Sequence, residues 1–117
     1  ALMEASIRGQ RESVSLLIDH GADLNLTDFR GQTVLGLAVS RGHHEISRDL
    51  LARGANSQEK DRNANNLLHL AANNGDLPII EMLLQAGVSK EAVNRDGHTP
   101  LMLALKKNHS ETIPLLR

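Results

Sequence analysis

No cysteine occurs in the 117 residues, so neither a disulfide framework nor a thiolate metal site is available. A chain without thiols suits the cytoplasm, and equally the nucleus. Tryptophan and tyrosine are absent too, and Phe29 is the sole aromatic residue. A core without aromatic bulk must be built from Leu, Ile, Val and Ala, which calls for thin, closely stacked elements. No apolar run approaches the roughly 20 residues that span a bilayer, and there is no signal-peptide pattern, so direct membrane insertion is not expected. Net charge of one sign is also missing. Thirteen Lys and Arg against 14 Asp and Glu leave −1, which gives no general case for nucleic acid. Neither a phosphate-binding G-x-x-x-x-G-K-[ST] loop nor an H-E-x-x-H zinc pair occurs. What is present, 40% hydrophobic and 23% charged residues, is the composition of a folded domain.

The positive signal is a repeat. Gly9, Gly42, Gly75 and Asn108 are each 33 residues apart, as are Gly21, Gly54 and Gly87, Leu2, Leu35, Leu68 and Leu101, and Ala5, Ala38, Ala71 and Ala104. Self-similarity at such a period marks a solenoid of stacked units. Each unit reads as two short helices, such as "TVLGLAVSRG" and "HHEISRDLLARG". Asp76 and Ser110 stand where a side-chain oxygen can cap the second helix, and Pro78 falls in a first turn, where its missing donor costs little. Both glycine series sit where a helix ends in left-handed backbone, and Asn108 is the residue that best replaces glycine there. Such a helix pair cannot bury its apolar face alone, and stacking makes the core continuous. Leu16, Leu17, Leu50, Leu51, Leu83, Leu84, Leu115 and Leu116 are expected to form much of it, each worth roughly 2–5 kcal/mol against alanine. Asp49 stands where Leu16, Met82 and Leu115 stand elsewhere, so a looser stack is expected there. Pro114 is expected to weaken the first turn of the last helix. Ala64 replaces the hairpin glycine of Gly31 and Gly97, so the third hairpin must bend differently or carry strain.

The units resemble the ankyrin repeat, whose signature is a 33-residue period with T-P-L-H-x-A. The residues that carry the resemblance are "DGHTPLMLA" (96–104), "NNLLHLA" (65–71) and "GQTVLGLA" (31–38), with "LLIDHGADLN", "LLARGAN" and "LLQAGVS" as second-helix endings. The resemblance implies an all-α solenoid of stacked helix-turn-helix units joined by β-hairpin-like loops. It gives one domain over 1–117, with units near 1–27, 28–60, 61–93 and 94–117. The first unit lacks its hairpin and the last stops inside its second helix. The expectation is therefore a monomeric piece of a longer array.

The resemblance also assigns roles. His69 becomes the T-P-L-H histidine, which bonds backbone and ties neighbouring hairpins. Gly36 and Met102 stand at the equivalent positions and cannot do so. Asn66 takes the threonine position and is structural. His43 and His44 point about 100° apart on a helix and make a poor metal pair, and no cofactor or catalytic residue is expected. Ankyrin repeats bind proteins through hairpin tips and the exposed side of the first helices, which together form a concave groove. Carried onto this chain, the hairpin positions are Phe29, Arg30, Gln32, Arg62, Asn63, Asn65, Arg95, Asp96 and His98. The helix positions are Ile7, Arg8, Ser40, Arg41, Asn73, Asn74, Lys106 and Lys107.

Eight of the 13 basic residues, Arg8, Arg30, Arg41, Lys60, Arg62, Arg95, Lys106 and Lys107, fall on or beside that groove. Asp28 and Asp61 sit at turn positions, where a carboxylate bonds local backbone. The expected partner is a protein or peptide segment carrying carboxylates or phosphate, met by arginines that bind bidentately. Phe29 is a candidate anchor, and the asparagines at 63, 65, 73 and 74 can pair with the backbone of an extended peptide. Asn25, with Leu17 and Asp23, resembles the setting in which ankyrin asparagines are hydroxylated. The leading expectation is a non-catalytic scaffold or adaptor module. An ankyrin-type inhibitor of an enzyme such as a kinase, and a structural spacer in a longer array, are the alternatives.

Overall fold

A computed structural model describes residues 8, 10–24 and 26–117, and every described element is a helix or turn. The elements are α1 (Arg11–Asp19), α2 (Val34–Ser40), α3 (His44–Ala52), α4 (Leu67–Asn74), α5 (Leu77–Gln85), α6 (Pro100–Lys106), a 3₁₀ turn (Ser110–Thr112) and α7 (Ile113–Leu116). First helices α2, α4 and α6 each precede a second helix, and α1 is the second helix of the first unit.

The 33-residue spacing reappears as hydrogen bonds. Thr33, Asn66 and Thr99 precede the three first helices, and each side-chain oxygen accepts from the backbone N–H three residues on, at 3.3, 3.0 and 3.3 Å. These caps satisfy donors that a helix start leaves free. The same helices close identically: His43 N–H donates to Ala38 O, Asp76 to Ala71 O and His109 to Ala104 O. The second helices repeat that closure, with Ala22 donating to Leu17 O, Ala55 to Leu50 O and Val88 to Leu83 O. Such a closure requires a left-handed residue just past the helix. Gly42 and Gly75 supply it at φ 72° and 68°, and Asn108 does so at 60°. Gly75 has a second reason to be glycine. A Cβ there would fall 2.5 Å from the ring of His109, the residue one repeat beyond Asp76.

Leu35, Leu68, Ala38, Ala71 and Ala104 are buried, with Leu50, Leu83 and Leu116 from the second helices. Leu17, Leu51, Leu84 and Leu115 pack against this core half-buried. Leu16 departs from expectation. It is 59% exposed, at the edge of the open notch between α1 and α3. Asp49 at the same edge is half-buried and held by Arg11, with Nε to Oδ2 at 2.7 Å and Nη2 to Oδ1 at 3.1 Å. A notch of about 600 Å³ does lie beside it, lined by Leu16, Asp19, Ala52 and Arg53 among others.

Two expected caps are not made. Asp76 stands at the start of α5, but its carboxylate turns to His44 Nε2 at 2.7 Å instead of to its own helix. Ser110 opens a 3₁₀ turn that has no side-chain cap, and α7, carrying Pro114, extends only four residues. Pro78 sits in the first turn of α5, where its missing donor is tolerated.

Ala64 keeps the fold of its hairpin by accepting strain, at φ 60°. A Cβ makes that conformation costly, by about 1–2 kcal/mol, and glycine gives part of that back in chain entropy. Ala64→Gly should therefore raise the unfolding free energy by about 1 kcal/mol, read from the urea midpoint at unchanged slope. An unchanged or lowered midpoint would show that the hairpin bears no strain at this residue.

Candidate functional site

Three hairpin tips stand in register. Asp28 Oδ1 accepts from the N–H groups of Arg30 and Gln32, and Asp61 Oδ1 accepts from those of Asn63 and Asn65. Asn94 Oδ1 does the same for Asp96 and His98. Each tip is thus folded by its own Asp or Asn side chain. Neighbouring tips are then tied by single backbone bonds, Arg62 N–H to Arg30 O and Arg95 N–H to Asn63 O. The connecting loops are hairpin-like turns, with no strand among the described residues.

His69 links the tips to the helices. It is fully buried at the start of α4. Its Nδ1 accepts from Asn66 N–H at 3.0 Å, which leaves the proton on Nε2, and Nε2 donates to His98 O in the next hairpin at 2.8 Å. Burial lowers its pKa, which favours the neutral ring. Both nitrogens are engaged in this tie. Asn66 is buried beside it and donates to Ser89 O.

The second unit has no histidine here and solves the problem differently. Gly36 leaves the space open, and the Glu59 carboxylate comes within 3.0 Å of where a Cβ would stand. Thr33 Oγ1 donates to Glu59 at 2.5 and 2.6 Å. Burial raises the Glu59 pKa, and the bonds from Thr33 and Gly36 oppose that rise. Glu59 is not among the residues expected to shape this surface. Its signal is Gly36 at the histidine position followed by an acidic residue on the strap to the next hairpin.

The proposed contact positions divide into three groups. Phe29, Arg30, Arg62, Asn63, Arg95, Asp96, Arg41, Asn73, Lys106 and Lys107 are exposed, and so is Arg8. Phe29 is 76% exposed, with the Arg30 guanidinium 5.4 Å from its ring centroid. A second group is spent on the scaffold. Gln32 is 8% exposed and does not present its side chain, contrary to expectation. Ser40 Oγ donates to Gly36 O at 2.9 Å. Asn74 Nδ2 donates to Ser40 O at 2.6 Å and to Val39 O at 3.3 Å, which fastens α4 to α2. Asn65 is half-buried, donating to Asp61 and accepting from Asn94. His98 is half-buried at the tip that His69 grips. Ile7 and Asn25 lie outside the described residues.

Charge pairing separates the hairpins and first helices from the second helices. Arg11 on α1 reaches Glu45 at 3.0 Å and Asp49 at 2.7 Å on α3, and Arg53 pairs with Asp19. The Arg11 bond holds the Asp49 carboxyl below its ordinary range. His44 pairs with Asp76. Among the described residues no such ion pair is made by Arg30, Arg41, Lys60, Arg62, Arg95, Lys106 or Lys107. Arg11 and Arg53 on the second helices are spent joining repeats, and Arg30, Arg41, Lys60, Arg62, Arg95, Lys106 and Lys107 along the tips and first helices are exposed to solvent.

Comparison with known proteins agrees with this architecture. A family model described as "Ankyrin repeats (3 copies)" matches residues 1–61 and 50–117. Over 42 residues the chain is 45% identical to a rice protein (Oryza sativa subsp. japonica) described as "Probable E3 ubiquitin-protein ligase XBOS32". That stretch is 36% of this chain and spans only 8% of the rice protein.

Proposed function

Because the chain belongs to the ankyrin-repeat family, whose members are protein-binding modules and typically non-catalytic, we propose that it binds an acidic, extended segment of another protein along its hairpin tips and first helices. The carrying observation is the row of cations without ion pairs, Arg30, Arg41, Lys60, Arg62, Arg95, Lys106 and Lys107. Cations already paired within a fold have little left to give a ligand, and these have their full charge to offer. Arginine meets carboxylate or phosphate with two parallel hydrogen bonds. The hairpins bearing them are fixed by Asx-type turns and by the His69 tie, so little ordering is needed on binding. In this reading the protein is a non-catalytic part of a scaffold or adaptor, working as a monomer in the cytoplasm or nucleus.

Long-range attraction between opposite charges is screened by salt, with a Debye length of about 10 Å at 0.1 M and about 3 Å at 1 M. Binding of a glutamate-rich or phosphoserine peptide, followed by fluorescence anisotropy, should weaken progressively as salt rises from 0.05 to about 0.5 M. Affinity independent of salt would reject the basic surface as the recognition element.

A further inference from the structure

Between the third and fourth units a cavity of about 230 Å³ opens on the same surface, lined by Asn65, His69, Leu70, Asn73, Asn94, Asp96 and Leu103. It joins hairpin residues to first-helix residues, so a segment lying along the tips would pass over it. Most of its polar lining is already committed. Both His69 nitrogens are bonded, and the Asn65 and Asn94 amides bond to each other at 2.9 Å. Leu70 and Leu103 are half-buried and give the cavity apolar surface that the chain itself does not cover. Asn73 and Asp96 are exposed.

The corresponding place one repeat earlier is shut. Leu37, the counterpart of Leu70, is 5% exposed, Gln32 in place of Asn65 is buried, and Ser40 in place of Asn73 is bonded to its own helix. Glu59 fills the space beside Gly36 there. The two junctions share one backbone register and differ in whether apolar surface is left open.

The cavity lies below the roughly 300–1,000 Å³ of sites that enclose a whole small-molecule ligand. It is the size of a side-chain socket. Its surroundings carry Arg62, Arg95, Lys106 and Lys107, all without ion pairs to described residues, against two carboxylates, Asp96 and the Asp61 whose oxygens already accept from Asn65. That balance favours a segment that is acidic on either side of the inserted residue and disfavours a cationic one. We infer that this socket takes one leucine-sized aliphatic side chain of an otherwise acidic peptide, and so fixes the peptide's register along the tips. The inference rests on the acidic-segment reading above. Asn73 stands at the edge with an amide able to pair with the peptide backbone, and Asp96 can accept a backbone N–H.

The test uses the full chain and labelled ten-residue host peptides of glutamate and serine with one central guest residue: leucine, alanine or lysine. Anisotropy titrations at low salt should show the leucine guest binding about tenfold tighter than the alanine guest, with the lysine guest weakest. Leu103→Gln should erase most of the leucine advantage while leaving the alanine-guest affinity and its salt dependence in place. A matching thermal melt confirms that the variant is folded, and the guest series on the unaltered chain stands without it. If the alanine host binds with salt dependence but leucine gains nothing, or lysine binds best, the socket is overturned and the acidic-segment reading survives. If no host peptide binds at low salt, both are overturned.

Discussion

Replacing His69 by alanine is expected to remove about 3 kcal/mol or more of unfolding free energy, as much as truncating a core leucine. Three effects add. A fully buried ring is deleted from a packed interior, which leaves a cavity. Asn66 N–H loses its acceptor inside the protein, at the desolvation cost of an unmade bond. The bond to His98 O, which spans 29 residues and ties one unit to the next, disappears. For a domain of this size the melting temperature should fall by about 10 °C or more. A loss under about 1 kcal/mol would show that the helix start and its neighbouring hairpin hold without the ring.

The same residue sets a pH dependence whose sign follows from burial. Folding lowers the His69 pKa from its ordinary 6.5. Below 6.5 the unfolded chain begins to take up a proton that the folded chain resists. Stability is therefore complete above that pH and lost as pH falls toward the folded value. Glu59 acts in the opposite direction. Its pKa is raised by burial above the ordinary 4.5, so its contribution is present below that value and lost as pH rises through the folded one. The difference in stability between the unaltered chain and His69→Ala cancels the Glu59 part. That difference should shrink as pH drops below about 6.5, and a constant difference would show that His69 titrates alike in both states.

Much of this was readable because stacking imposes a period. The series Gly42, Gly75, Asn108 marks one backbone closure made three times, and Thr33, Asn66, Thr99 marks one cap made three times. The histidine of "NNLLHLA" could be placed in the scaffold for the same reason. The period says less where a unit departs from it. Gly36 reads as a missing histidine, and only the structure brings in Glu59 from the strap before the next hairpin. Asp76 and Asp49 have the residue types of a cap and a core defect. Each is claimed instead by a partner on another helix, His44 or Arg11, more than 30 residues away in sequence. Gln32 and Asn74 carry polar side chains at positions the family varies. Whether such a group faces solvent or a neighbouring carbonyl depends on packing between units, which no single stretch of sequence encodes.

The second large effect concerns binding. Arg30, Arg62 and Arg95 stand on three successive hairpins whose backbones are tied tip to tip, so they act on one ligand together. Changing all three to glutamate reverses six units of charge, 3 × 2, on an exposed row whose members form no ion pair with described residues. Little stability should change, since exposed substitutions away from packing are usually within about 0.5 kcal/mol. Binding should change a great deal, because placing like charges across an interface costs several kcal/mol. The direct measurement is an affinity pull-down of binding proteins by the 117-residue chain, run beside the Arg30→Glu, Arg62→Glu, Arg95→Glu variant with matched melting curves. The account predicts that acidic partners retained by the unaltered chain are lost from the folded variant. Retention of the same partners by both would contradict it.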